Sequence, residues 1–229
     1  LVLAFSMFVA AMQLRGVLSG VSFKLAGTRT TLNVTFGDLF EEQGSILVPV
    51  NHYYDHVLEG PGRPVAPVSR NSVHGTLVEK LGGGEKFKDA IAPELDTLPE
   101  ENVVDVIEDR APHPTREFAL GTCVSLPRTK LDAGDDGAVH LVAVAKTEHE
   151  TFRANSTLPE LVGALARGLE TIALRDSENR LLVPLIGSGF GKTKLDDEHL
   201  LDVIVATIAE VHSRREVRNA EVTIVLMPK

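Results

Sequence analysis

Along Thr31–Phe36, Leu32, Val34 and Phe36 alternate with polar side chains. That period of two predicts a half-buried strand. Val21–Leu25 is a strand-like run before it. Ser45–Val50 (SILVPV) is a short apolar run ending at Asn51. It predicts a buried strand, with Pro49 near the end, where a ladder donor can be spared. Val103–Ile107 and Glu117–Leu126 are further strand candidates. Val139–Ala145, Leu181–Ile186 and Val222–Leu226 complete the set.

Helical spacing occupies the gaps. Ser72 can cap a helix running through Leu81, and Gly82–Gly84 breaks it. Lys86–Leu95 predicts a short helix. Thr157, Pro159 and Glu160 form a capping-box pattern with proline in the first turn. Leu161, Val162, Leu165, Leu169, Ile172 and Ala173 then share one apolar face. Asp196–Val211 repeats the pattern with Leu200, Leu201, Ile204, Ile208 and Val211. Residues 52–71 read as an irregular loop because Gly60, Pro61, Gly62, Pro64 and Pro67 block regular structure. Asp132–Gly137 reads as a hairpin turn. Strands alternating with helices predict an α/β sandwich around a mixed sheet, with no internal repeat.

The start of the chain differs. Leu1–Leu14 carries no charge, and all 32 acidic residues lie at or beyond Asp38. A bilayer span needs about 20 apolar residues. Three readings fit: the end of a transmembrane helix, the apolar part of a signal peptide, or a buried core helix. As a membrane helix it would place the rest of the chain in the cytoplasm, since Arg15, Lys24 and Arg29 follow it. Residues 1–20 would then be a helix remnant and linker, and residues 21–229 one domain.

Composition narrows the chemistry. The 229 residues are 43% hydrophobic and 24% charged, enough for a packed core. A net charge of -9, a pI of 5.4 and 5% aromatic residues without tryptophan argue against nucleic-acid binding. A phosphate ligand remains compatible, because backbone N–H groups bind phosphates without net positive charge. Cys123 stands alone, which excludes an internal disulfide and a cysteine-based zinc site, and it reads as a core thiol. His52, His56, His74 and His140 show no metal-ligand spacing, and His149 sits in a solvated acidic turn between Glu148 and Glu150.

Three segments can carry chemistry. In residues 181–194 (LLVPLIGSGFGKTK) a buried strand runs into a glycine-rich loop, Gly187, Ser188, Gly189, Phe190, Gly191 and Lys192. Glycines let N–H groups converge on an anion. It is not a P-loop, because Gly187 and Gly191 enclose three residues rather than four. In residues 34–55, Asp38 and Leu39 follow one strand and Asn51 ends the next. Ser72, Val73, His74 and Gly75 open a helix whose first N–H groups are free for a phosphate. Tyr53 and Tyr54 could stack on an adenine or simply cover the loop. Each segment also has an ordinary reading as a turn, a cap or a tight connection.

Taken in order, FGDLF, ILVPVN, SVHG, GTCVSL with VHLVAVA, and VPLIGSGFGK resemble the macro domain, over residues 31–229. The resemblance implies a three-layer α/β/α module that binds ADP-ribose. It implies that Asp38 reads the adenine and that Asn51 holds the distal ribose. Ser72–Gly75 and Gly187–Gly191 would donate N–H groups to the diphosphate, with Lys192 adding charge. Catalytic macro domains carry a triple-glycine loop and an acidic residue where this chain has SVHG, and the glycines at 82–84 come after the helix. That departure weakens hydrolysis more than binding. FGDLFE, VPVNHYYD and PLIGSGFGK are similar to the membrane-anchored macro-domain effectors of Thoeris anti-phage systems. There a TIR-type partner enzyme makes an ADP-ribose-derived signal, and the macro domain senses it. The resemblance implies a bacterial membrane receptor, homo-oligomeric, without catalytic residues, metal or cofactor. An ADP-ribosyl hydrolase is the enzyme alternative.

Overall fold

A computed structural model describes residues 20–60, 66–110, 113–131, 137–175, 180–187, 195–214 and 221–226. The strands are β1 (Val21–Lys24), β2 (Thr31–Phe36), β3 (Ser45–Asn51), β4 (Val103–Val106), β5 (Arg116–Phe118), β6 (Cys123–Pro127), β7 (Ala138–Ala145), β8 (Leu181–Pro184) and β9 (Glu221–Leu226). The helices are α1 (Val73–Lys80), α2 (Gly84–Asp96), α3 (Leu158–Arg175) and α4 (Asp197–Arg214).

Seven strands form a mixed sheet in the order β1-β2-β9-β8-β3-β7-β6, and β4 and β5 form a separate antiparallel pair. The five strands from β2 to β7 are parallel, and the outer pairs β1–β2 and β6–β7 are antiparallel. Both faces are covered, which is why β3 reads as a continuous apolar run rather than an alternation. Leu47, Val142, Val144, Val183 and Ile224 face α3 and α4. Ile46, Val48, Val50, Leu141 and Leu182 face α1 and α2. The result is the expected α/β/α sandwich.

Local chemistry sets the helix ends. Thr157 N–H donates to Glu160 Oε2 at 2.8 Å, completing the capping box ahead of α3. Asp196 caps α4 by accepting from His199 N–H at 3.0 Å.

The structure departs from the sequence pattern at Glu117–Leu126. That run is two strands in two sheets. A turn closed by Thr122 N–H on the Ala119 carbonyl separates them, so β5 pairs with β4 and β6 with β7. Among the described residues no helix is long and apolar enough to cross a membrane. The expected helix remnant and linker cover residues 1–20, of which residues 1–19 lie outside the described residues.

Candidate functional site

The five parallel strands direct their carboxyl ends to one edge of the sheet, the usual ligand side of an open α/β sheet. A cavity of about 420 Å³ opens there. Pro49–Asn51 of β3, Ala145 of β7 and Leu185–Gly187 after β8 form one wall. Ala66–Ser69 and Asn71–His74 form a second, and Thr147, Phe152 and Ala154 a third. Glu59 also lines it, and no lysine or arginine is among its described lining residues.

Ser72 organises the start of α1. Its hydroxyl donates to the Ser69 carbonyl at 2.7 Å and accepts from Gly75 N–H at 3.0 Å. The described residues supply no backbone acceptor to the next two orphan donors, the N–H groups of Val73 and His74. Gly75 permits a close approach: a Cβ there would lie 2.2 Å from the Ser69 carbonyl oxygen. Gly187 has a φ of +104°, which glycine adopts without strain, and turns the chain away after β8.

Asn51 has a different environment from the one its sequence position implies. Its amide donates to Asp55 Oδ2 at 2.9 Å, and its carbonyl oxygen accepts from Asp55 N–H at 3.1 Å. Asp55 is fully buried. Arg110 Nη1 and Nη2 donate to its two carboxylate oxygens at 2.9 and 2.7 Å. The guanidinium lies 3.6 Å over the Tyr53 ring and also donates to the Pro114 carbonyl. Next to this group, burial first and then the Arg110 charge lower the His52 pKa to about 4. His74 is buried as well, and burial lowers its pKa to about 3.

Of the residues singled out in the sequence, Asn51, Ser72, Val73, His74 and Gly187 line this one cavity. Gly75 is buried in the first turn of α1 and lies outside the lining. Asp38 and Leu39 follow β2 and do not line it. Asp38 is exposed, with Oδ1 accepting from Phe40 N–H at 2.8 Å, and Leu39 is buried in the core facing α1 and α2. Ser188, Gly189, Phe190, Gly191 and Lys192 lie outside the described residues.

A family model described as the macro domain of Thoeris protein ThsA matches residues 32–227. The chain belongs to the ThsA macro-domain family. No curated protein matches it. Among solved structures it is similar to the Oceanobacillus iheyensis macrodomain with ADP, at 15% identity and a TM-score of 0.56, over 92% of this chain and 90% of that one. A mutant of that macrodomain with ADPR gives the same identity and TM-score, over 91% of this chain and 90% of that one. At this identity the likeness is one of fold.

In this ThsA-type macro domain, Tyr53 and Tyr54 do not stack in the cavity. Tyr54 is buried with its hydroxyl on the Thr122 carbonyl at 2.8 Å, and Tyr53 lies under Arg110. Cys123 is buried, and burial raises its thiol pKa to about 11, so it is no thiolate nucleophile at neutral pH. Glu59, Thr147 and Phe152 also line the cavity, and no motif or periodicity in the sequence marks them. Phe152 has a φ of +56°, rare outside glycine, asparagine and aspartate. No group of three or more metal-binding side chains occurs among the described residues.

Proposed function

We propose that this ThsA-type macro domain binds ADP-ribose or an ADP-ribose conjugate and senses it as a nucleotide signal in bacterial anti-phage defence. The observation that carries the reading is the cavity between the capped start of α1 and the turn at Gly187, in a chain of this family. The N–H groups of Val73 and His74 suit one phosphate of the diphosphate. The loop from Gly187 to Gly191, with Lys192, suits the other. Asp38 stands three strands from β3 on the same edge, roughly 14 Å away at ~4.8 Å per strand. That span suits a long ligand with adenine at one end and a second sugar at the other.

In this reading a TIR-type partner enzyme supplies the signal. The domain faces the cytoplasm of a bacterial membrane, held there by the N-terminal segment. Binding biases a homo-oligomeric state, which requires that state to hold the ligand more tightly. Calorimetric titration with ADP-ribose and then with conjugates tests the reading. Binding without turnover is expected, and Asp38→Ala should weaken it by about 1.5–3 kcal/mol, the loss of a charge-assisted hydrogen bond. No binding of either ligand class would sink the reading. Turnover of ADP-ribosylated protein would replace it with a hydrolase.

A further inference from the structure

A second cavity, of about 410 Å³, opens beside β6, the last strand of the seven-stranded sheet. α3 forms one wall with Arg167, Glu170, Thr171 and Arg175. The turn Ala119–Cys123 and the segment after α2, at Leu98 and Pro99, form the other. None of these residues lines the cavity between α1 and Gly187.

Its two arginines stand out by what they lack. Arg110, Arg116 and Arg180 each pair with a carboxylate. Among the described residues Arg167 and Arg175 pair with none, in a chain whose net charge is -9. Each is held by a backbone carbonyl instead. Arg167 Nε donates to the Leu120 carbonyl at 2.9 Å, and Arg175 Nη1 reaches the Cys123 carbonyl at 3.5 Å, the limit for a hydrogen bond. Gly121, with a φ of +89°, lets Arg167 lie against the turn: a Cβ there would stand 2.7 Å from Arg167 Cβ. Both guanidinium groups keep N–H donors without a described acceptor. Such forks match phosphate and carboxylate oxygens.

Spacing narrows the ligand. Arg167, Thr171 and Arg175 follow one ridge of α3 in steps of i to i+4, so the arginine Cα atoms stand about 12 Å apart along the axis. That span suits an anionic group at each end of one molecule better than a single phosphate. Glu170 lies on the same wall between them and repels a third anion. The middle of the ligand must therefore bring donors.

We propose that this cavity binds a small molecule with a phosphate or carboxylate at each end and hydroxyl groups between them. Arg167 and Arg175 each hold one end, and Glu170 accepts from the hydroxyls. The site is separate from the ADP-ribose cavity and does not rest on that reading.

The full chain is titrated with fructose 1,6-bisphosphate, with galactarate as the hydroxyl-bearing dicarboxylate, and with inorganic phosphate. Ionic strength is held constant, and ADP-ribose is present to fill the first cavity. Arginine Nε–H signals in 1H–15N spectra read the two side chains directly. One of the two bis-anions should shift both arginine signals at concentrations about tenfold below those that inorganic phosphate needs, and the tighter of them identifies the anionic group. Arg167→Gln and Arg175→Gln should each weaken that ligand about tenfold, the loss of one charge-assisted contact. Arg175→Lys, which keeps the charge and gives up the fork, should lose less. Glu170→Ala should narrow the gap between the bis-anion and inorganic phosphate. Both arginines are exposed, so these variants should keep the fold and an ADP-ribose affinity within about twofold of the parent. Equal response to all three anions, no shift at either arginine, or unchanged affinity in both glutamine variants overturns the inference. Bis-anion binding in a protein that does not bind ADP-ribose would overturn the ADP-ribose reading alone.

Discussion

Asp55 and Arg110 meet across 55 positions of sequence with both side chains out of water. Removing one partner from such a pair leaves an uncompensated charge in a low-dielectric interior. Arg110→Ala should therefore cost about 3–5 kcal/mol in urea unfolding. A loss below about 1 kcal/mol, the range of exposed pairs, would mean that water reaches the pair in solution. The same contact explains what the sequence could and could not reveal at this scale. Asn51 and Ser72 were legible because their roles are local, a strand end and a helix cap. Asp55, Arg110, Glu59 and Phe152 were not. Their partners lie far away in sequence or in loops without periodicity, and no local pattern marks them. The Asn51 amide also organises the turn with Asp55, an ordinary role for an asparagine at a strand end.

At the scale of elements, the start of α1 depends on two residues of different kinds. Ser72 supplies the cap, and Ser72→Ala should cost about 1 kcal/mol in thermal or chemical unfolding. Gly75 supplies space against the Ser69 carbonyl, which is backbone and cannot swing aside. Gly75→Ala should therefore cost more, about 1–3 kcal/mol, by pushing α1 away from the 66–72 loop. Equal stability of Gly75→Ala and the parent would show that the loop yields freely. Most elements were readable because periodicity and caps agree with the fold, as in β2, α1 and α3. Two boundaries were not. α2 begins inside the Gly82–Gly84 run, because glycine is tolerated at a helix start as well as at a stop. β5 and β6 look like one strand in the sequence, because their break is set by which sheet each joins and not by a change in residue type.

At the scale of the whole molecule, two effects of acid oppose each other. With a net charge of -9 and a pI of 5.4, lowering the pH from 7 toward 5 relieves self-repulsion and favours the compact state. Burial works the other way. His52 and His74 have folded pKa values of about 4 and about 3, below the ordinary 6.5. Below pH 6.5 the unfolded chain takes up protons that the folded chain refuses, so their contribution is full above 6.5. It is lost progressively down to about 4 for His52 and about 3 for His74. Each depressed histidine removes about 1.4 kcal/mol per pH unit, or about 2 kcal/mol by pH 5. Surface repulsion at ordinary ionic strength is screened within about 8 Å, so the buried rings should win. Urea unfolding should show a loss of several kcal/mol between pH 7 and pH 5, of order 4 from the two rings together. His52→Gln and His74→Asn should each flatten the slope. Constant or rising stability over that range would mean that both rings are open to water.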